Sequence, residues 1–168
     1  MLAVAGGRGA VKQKPFSLAV QYAAGNADPV NLPTRTQFRR WVKSALERQA
    51  GITIRMVNAP EGRALNHDYR GKDYATNVLT FVYDEMDPLS ADIVLCVEIV
   101  EQEAQRQRKA LLAHYAHLTV HGVLHAQGYD HIEEGEAVIM EQKEIEILAR
   151  LGFDNPYAEN GGTVMTRS

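Results

Sequence analysis

The chain has 168 residues, of which 45% are hydrophobic and 23% are charged, and its formal net charge is −3. These values are typical of one globular domain with its own core, and they argue against a disordered or strongly basic chain. No apolar run approaches the length of a transmembrane helix, so no membrane contact is expected. The single cysteine, Cys96, cannot form a disulfide within the chain, which favours a reducing, cytoplasmic compartment.

The first third of the chain predicts two strands separated by a helix. Residues 16–22 alternate apolar and polar side chains, a pattern that indicates a strand. Residues 34–50 begin with the capping-box pattern Thr-x-x-Gln and are predicted to form a helix that Gly51 ends. Residues 52–57 are short and β-branched, so they predict the second strand.

The remainder of the chain predicts a short helix, two more strands and then helices alone. The short helix is expected over residues 61–69, and the strands over residues 76–83 and 92–97. Because strands concentrate in the first half and helices in the second, we predict an α+β fold. Apolar residues at helical spacing predict three final helices, over residues 98–108, 111–127 and 134–151.

A single domain between two loose ends is the expected organisation. Residues 1–14 are rich in glycine and alanine and lack the hydrophobic segment of a signal peptide, so we predict a disordered leader. Residues 158–168 are predicted to be a flexible tail. The domain is therefore expected to span residues 15–157, a length sufficient for one hydrophobic core.

Three histidines, His121, His125 and His131, lie at the end of the long predicted helix, with Gly128 among them. Two histidines four residues apart on a helix differ by about 40° around its axis and about 6 Å along it, so both can reach one ion. Gly128 can adopt a left-handed conformation, end the helix and return His131 toward that ion. Three imidazoles with an open fourth position are typical of catalytic zinc, and the same spacing occurs in a long metallopeptidase motif. We therefore predict a metal site on this helix and the following turn, rather than incidental histidines.

One position of the motif departs from the peptidase pattern. In zinc peptidases a glutamate general base follows the first histidine, whereas this chain has Gly122. Either the base lies elsewhere or the reaction needs none beyond a metal-activated hydroxide, and peptide hydrolysis by the usual route is disfavoured. His114 and His117 precede the motif on the same helix, where packing explains each at least as well as lining the site does.

The histidine motif, together with residues 66–81 (NHDYRGKDYATNVLTF) and the strand at 92–94, resembles the YbeY family of bacterial metal-dependent single-strand endoribonucleases. The order and separation of the three blocks also fit, and the resemblance covers residues 16–152. It implies a small mixed four-stranded sheet packed with about five helices. Two departures, Ala91 in place of a usual glycine and Ala126 in place of a bulky apolar residue, touch none of the implied ligands.

The resemblance also implies roles for individual residues. It makes His121, His125 and His131 the ligands of one divalent metal ion per chain, for which Zn²⁺ is the first candidate. It makes Arg70 the catalytic arginine, because a guanidinium stays charged and can pair with two phosphate oxygens as charge develops. Lys72 is the second candidate cation.

The implied function is single-strand cleavage in ribosomal RNA processing, including maturation of the 3′ end of small-subunit RNA, and ribosome quality control. The implied partners are single-stranded RNA, ribosomal RNA and the ribosomal subunit, with ribosomal proteins or a ribosome-associated GTPase as further candidates. Neither DNA nor a membrane is expected as a partner. Two alternatives stay open: a non-catalytic ribosome-assembly factor with a structural metal, and a zinc peptidase, against which Gly122 argues.

RNA binding requires local positive charge on a chain whose net charge is negative. Basic clusters occur at residues 39–43 and 106–109, and one hypothesis is that they line a single groove with Arg70. Side chains on opposite faces of the protein would contradict it. Three tyrosines near the motifs are candidates for stacking on bases: Tyr69, Tyr74 and Tyr129. Packing in the core explains each of them equally well.

Overall fold

A computed structural model describes residues 15–25, 27–130 and 133–158, and these ranges contain four strands and five α-helices. The predicted α+β class and element count are therefore confirmed, whereas the predicted leader and the tail beyond residue 158 lie outside the described residues. In chain order the elements are β1 (Phe16–Tyr22), a 3-10 turn (Pro29–Asn31), α1 (Arg35–Ala45), β2 (Ala50–Val57), α2 (Ala59–Arg70), β3 (Val78–Asp84), β4 (Leu89–Cys96), α3 (Val97–Gln107), α4 (Leu111–Ala126) and α5 (Glu134–Arg150).

The strands form one mixed sheet in the order β1-β2-β4-β3. β1, β2 and β4 run parallel, and β3 is antiparallel to β4 and forms one edge. In the register, Ile93 of β4 lies opposite Ile54 of β2 and Thr80 of β3. Because successive side chains point to opposite faces, Ile93 faces the main core and Val94 faces a second, smaller cluster.

Helices cover both faces of the sheet. On one face, α1, α4 and α5 contribute to the main core, whose largest fully buried side chains include Trp41 of α1, Tyr115 of α4 and Leu148 of α5. On the other face, α2 packs over a cluster that contains Val94 and the buried thiol of Cys96, whose pKa is raised by burial. In the described part of the chain no helix is both long and apolar enough to cross a membrane.

The first helix ends earlier than its sequence predicts. It stops at Ala45, and Ala50, predicted to be helical, already pairs in β2. The side chain of Gln127 explains the early end: its Nε2 donates to the Ala45 carbonyl at 2.9 Å, and its Oε1 accepts from the Glu47 N–H at 2.7 Å. These bonds satisfy backbone groups at a helix end, as a cap does. Because Gln127 follows α4, this end could not be predicted from local sequence.

Candidate metal centre

The turn after α4 ends the helix as the sequence predicts. Gly128 has a φ of +104°, in the left-handed region. Its N–H donates to the His125 carbonyl at 3.0 Å, and the Tyr129 N–H donates to the Leu124 carbonyl at 3.2 Å. This pair of bonds is a Schellman motif, which requires the conformation that glycine adopts most easily. The turn brings the backbone of Tyr129 back toward the His125 ring.

His121 and His125 lie one turn apart on α4 with nearly parallel rings. Their centroids are 6.4 Å apart and their planes differ by 8°. The structure thus brings two of the predicted ligands to one helix face, and the third, His131, lies outside the described residues. Among the residues that the structure describes, no group of three histidine, cysteine, aspartate or glutamate side chains is arranged to hold a metal ion.

Hydrogen bonds assign the proton on each of these two rings. His121 Nδ1 lies 2.6 Å from Glu144 Oε2, and His125 Nδ1 lies 3.1 Å from the Tyr129 carbonyl oxygen. An ionised carboxylate and a carbonyl oxygen can only accept, so Nδ1 of each ring is the donor. In a neutral imidazole with the proton on Nδ1, Nε2 carries the lone pair. This tautomer can bind a metal ion through Nε2. The donor chemistry of the pair therefore fits a divalent ion such as Zn²⁺.

Glu144 of α5 is a carboxylate in the protein core. It is 0% exposed, and it also accepts hydrogen bonds from His117 Nε2, at 2.9 Å, and from the Tyr157 hydroxyl. Burial by itself raises the pKa of Glu144, but the hydrogen bonds from His117 and His121 outweigh it and bring the pKa down to about 2. Sequence analysis missed this residue, although one signal was present: Glu144 shares a helix face with the buried side chains Met140, Ile147 and Leu148.

The two histidines before the motif make internal hydrogen bonds. Burial lowers the pKa of His117 and its bond to Glu144 only partly opposes this, so the ring is neutral at pH 7. His117 is thereby linked through Glu144 to His121. The buried His114 pairs instead with Glu103, at 2.9 Å between Nε2 and Oε1. Packing and hydrogen bonding therefore explain His114, whereas His117 belongs to the surroundings of the candidate centre.

Gly122 packs directly against the sheet. A Cβ atom at this position would lie 2.9 Å from Cγ2 of Ile93, which is 0% exposed. Real Cβ atoms essentially never come this close to a neighbour, so any side chain here requires the core to shift. The position where zinc peptidases have their glutamate base is therefore a close contact between α4 and β4, with no room for a carboxylate.

We expect Gly122→Ala to lower the free energy of unfolding by about 2 kcal/mol, the overpacking cost less the helix preference for alanine. Alanine is favoured over glycine in a helix by about 1 kcal/mol, but overpacking a core costs about 1–3 kcal/mol, and the buried Ile93 makes the larger value apply. Urea denaturation measures the difference. Gly135→Ala in α5 is the control, since a Cβ there meets nothing within 4 Å. If both variants were equally stabilised, the close contact at Gly122 would be disproved.

Arg70 is the last residue of α2, and it is exposed. Within the described part of the chain its guanidinium has no carboxylate partner, whereas Arg63 on the same helix pairs with Asp73 at 2.8 Å. The guanidinium of Arg70 is therefore accessible to an anion from solution. Because Arg70 lies on the surface, the packing of the core does not depend on its side chain.

α2 and α4 reach the same stretch of the edge strand from opposite faces. The ring of Tyr69, next to Arg70, lies 4.3 Å from the Phe81 ring of β3. Gly122 of α4 contacts Ile93, whose partner across the sheet is Thr80, the neighbour of Phe81. Arg70 and the histidine pair therefore belong to helices that lie on opposite faces of the sheet near β3, its edge strand.

The hypothesis of one groove that joins Arg70 to the basic cluster at residues 39–43 is contradicted by the structure. Residues 39–43 lie on α1, which packs on the main-core face, whereas Arg70 ends α2 on the other face. Arg39 stacks over the Phe16 ring at 4.5 Å, and the Lys109 ammonium donates to the Pro156 carbonyl. The face of the sheet that a helix covers depends on tertiary packing. The positions of basic residues in the sequence therefore did not predict it.

The three candidate stacking tyrosines divide into two groups. Tyr129 packs against the main core and its hydroxyl donates to the Glu47 carboxylate at 2.9 Å, so packing explains it. Tyr69 and Tyr74 are 56% and 57% exposed. They flank residues 70–73, the end of α2 and the start of the following loop, and they remain candidates for contact with bases.

Residues 26–152 match the family model described as Endoribonuclease YbeY. A protein of that name from Nitrosomonas europaea is 56% identical over 145 residues, which cover 86% of this chain and 87% of that protein. Another, from Herminiimonas arsenicoxydans, is 52% identical over 157 residues, covering 89% and 99% respectively. The chain belongs to the YbeY endoribonuclease family, as the resemblance predicts.

A solved structure supports the fold. The solution structure of TM1509 from Thermotoga maritima is similar with a TM-score of 0.52 over 80% of this chain and 91% of that one. The two sequences are 22% identical, so the likeness concerns the arrangement of strands and helices alone. It agrees with the small mixed sheet described above.

Proposed function

We propose that this protein is a metal-dependent endoribonuclease that cleaves single-stranded RNA during ribosomal RNA processing in the cytoplasm. Its proposed roles are maturation of the 3′ end of small-subunit RNA and ribosome quality control. Membership of a family named for endoribonuclease activity supports the reaction class. The observation that carries the metal dependence is the parallel pair His121 and His125, both with Nδ1 as donor.

The proposed metal is one divalent ion, with Zn²⁺ the first candidate, held by His121, His125 and His131. The chemistry that such an ion supplies when bound is activation of a water molecule near neutral pH and polarisation of a phosphoryl oxygen. The protein contributes orientation: Glu144 and the Tyr129 carbonyl hold the two rings through their Nδ1 protons. No side chain at position 122 is needed for this, since a glycine occupies it for packing reasons.

Arg70 is proposed to neutralise the negative charge that develops on the phosphate. Its guanidinium is exposed and no carboxylate in the described residues pairs with it, so pairing with two phosphate oxygens breaks no existing ion pair. The RNA would cross the β3 edge between Arg70 and the histidine pair, and Tyr69 and Tyr74 lie where bases could stack. A strand with unpaired bases fits this path because its bases are accessible for stacking.

A cleavage assay with matched RNAs tests the proposal. A labelled ribosomal RNA fragment is prepared in two forms, as a single strand and as a duplex with its complement. Each form is incubated with wild type and with the His121→Ala, His125→Ala double variant, which is purified in parallel. Both preparations are analysed for metal. We expect cleavage of the single strand alone, and only by the metal-bearing wild type. Equal cleavage by both proteins would reveal a contaminating nuclease and overturn the proposal. Metal-loaded wild type that cuts neither RNA would favour the non-catalytic assembly factor.

A further inference from the structure

We infer that Glu144 is a positioning residue of the candidate metal centre, whose carboxylate fixes the ring of His121 and is itself fixed by His117 and Tyr157. The inference rests on the proposed metal-dependent function and deepens it. None of these three contacts to the carboxylate joins residues that are close in the chain: α4 supplies both histidines, α5 supplies Glu144, and Tyr157 follows α5.

The two carboxylate oxygens of Glu144 have different partners. Oε2 accepts from His121 Nδ1 at 2.6 Å, a short distance typical of a hydrogen bond to an ionised group. Oε1 accepts from His117 Nε2 at 2.9 Å and from the Tyr157 hydroxyl. Rotation of the carboxylate would break at least one of these bonds, so the direction of the His121 ring follows from the position of Glu144.

Stability alone does not explain an ionised carboxylate at this place. Burying a charge is unfavourable, and well-packed apolar residues in place of buried charged groups are often neutral or stabilising. The other inward residues of α5 are apolar, so leucine at position 144 would continue the helix face. A carboxylate that accepts a hydrogen bond from the Nδ1–H of a metal-binding histidine fixes the orientation of the ring and selects the tautomer that binds. That effect on His121 accounts for the buried charge.

The segment after α5 completes this arrangement. The Tyr157 ring lies edge-on to the His117 ring, with centroids 5.4 Å apart. Next to it, the Pro156 carbonyl accepts a hydrogen bond from the Lys109 ammonium, which joins the segment to the chain just before α4. The end of the described chain thus holds Glu144 from the side opposite His121. A change at Tyr157 should therefore reach the metal centre through Glu144.

The same helix offers a matched control. His114 and Glu103 form another buried histidine–carboxylate pair, with 2.9 Å between Nε2 and Oε1. Glu103 also accepts from the Asn77 amide at 3.0 Å, and hydrogen bonding lowers its pKa despite the opposing effect of burial. No hydrogen bond in the described residues joins this pair to His121 or His125. Glu103→Gln therefore perturbs a comparable buried contact without touching a candidate ligand.

The test compares metal-free wild type, Glu144→Gln and Glu103→Gln. Zinc affinity is measured by competition with a chromophoric chelator, and the proton on each histidine ring is assigned by ¹⁵N NMR of the metal-free proteins. We expect Glu144→Gln to weaken zinc binding about 10- to 100-fold, as loss of such an outer partner does. We also expect the His121 ring to leave its single Nδ1–H form. Glu103→Gln should change neither quantity.

Folded Glu144→Gln with wild-type zinc affinity and wild-type ring signals would overturn the inference, and so would an equal loss in Glu103→Gln. If Glu144→Gln does not fold, Tyr157→Phe serves instead, because it removes one donor to the carboxylate and leaves the charge in place. Its zinc affinity should fall about 2- to 10-fold, the effect of one hydrogen bond, and unchanged affinity would overturn the inference. Wild type that binds zinc but cuts no RNA would contradict the proposed function alone.

Discussion

His125→Ala is expected to remove the bound metal and reduce RNA cleavage to the background of the assay. The substitution deletes the imidazole that lies one helical turn from His121, with its ring plane within 8° of the His121 ring. A site of three histidines that loses one retains two, fewer than the three protein ligands of typical catalytic zinc sites. The effect should therefore be on metal content and rate together, with the fold retained because the ring is only partly buried.

Metal analysis and cleavage of a labelled single-stranded RNA, made on the same preparation, check this result. His114→Ala is the control, since it removes a histidine from the same helix whose described partner is Glu103. That variant should lose stability but keep its metal and its activity. Full metal occupancy in His125→Ala would refute the assignment of this ligand. Lost metal with undiminished cleavage would separate the metal from the reaction.

Arg70→Glu is expected to keep the metal and the fold while cleavage falls about 100- to 1,000-fold, the usual effect of losing one group that stabilises developing charge. The fold should be unaffected because Arg70 is exposed at the end of α2 and makes no ion pair in the described residues. The reversed charge would in addition repel the phosphate. The loss should appear in kcat/KM, measured with labelled RNA at fixed salt concentration, since contacts to phosphate weaken as salt rises.

Arg63→Glu provides the same change of charge on the same helix. Arg63 pairs with Asp73 on the surface, and an exposed pair of this kind contributes only about 0–1 kcal/mol to stability. We expect this variant to retain most of its activity. Unchanged rates in Arg70→Glu would remove Arg70 from the mechanism. Similar losses in both variants would instead indicate a general effect of charge on RNA association.

Most of the fold could be predicted because its signals are local. The bounds of β1 agree with the alternation of residues 16–22, and α4 follows the helical spacing of residues 111–127 to within one residue. The end of α1 could not be predicted in this way, because the side chain of Gln127, far along the chain, satisfies the backbone there. The hypothesis that residues 39–43 share a groove with Arg70 failed for a related reason: sequence gives the charge of a helix but not the face of the sheet that it covers.

The residues of the candidate site also fall into two groups, those that local sequence could predict and those that it could not. His121, His125 and Gly128 could be recognised because one helix and one turn fix their relative positions, and the left-handed Gly128 confirms the turn. Glu144 and Tyr157 could not, since they come from separate segments that only tertiary packing brings to the histidine helix. A carboxylate on an apolar helix face was the one local signal. Such a residue is worth testing for a buried partner in other sequences.

We propose that a metal ion held at His121, His125 and His131 makes this protein a ribonuclease. The most direct test removes the metal with a chelator, restores Zn²⁺ in steps, and measures bound zinc and cleavage of a labelled single-stranded RNA in the same samples. We predict that cleavage disappears with the metal and returns in proportion to bound zinc, with a plateau at about one ion per chain. Cleavage that continues at its full rate after complete removal of the metal would contradict the claim.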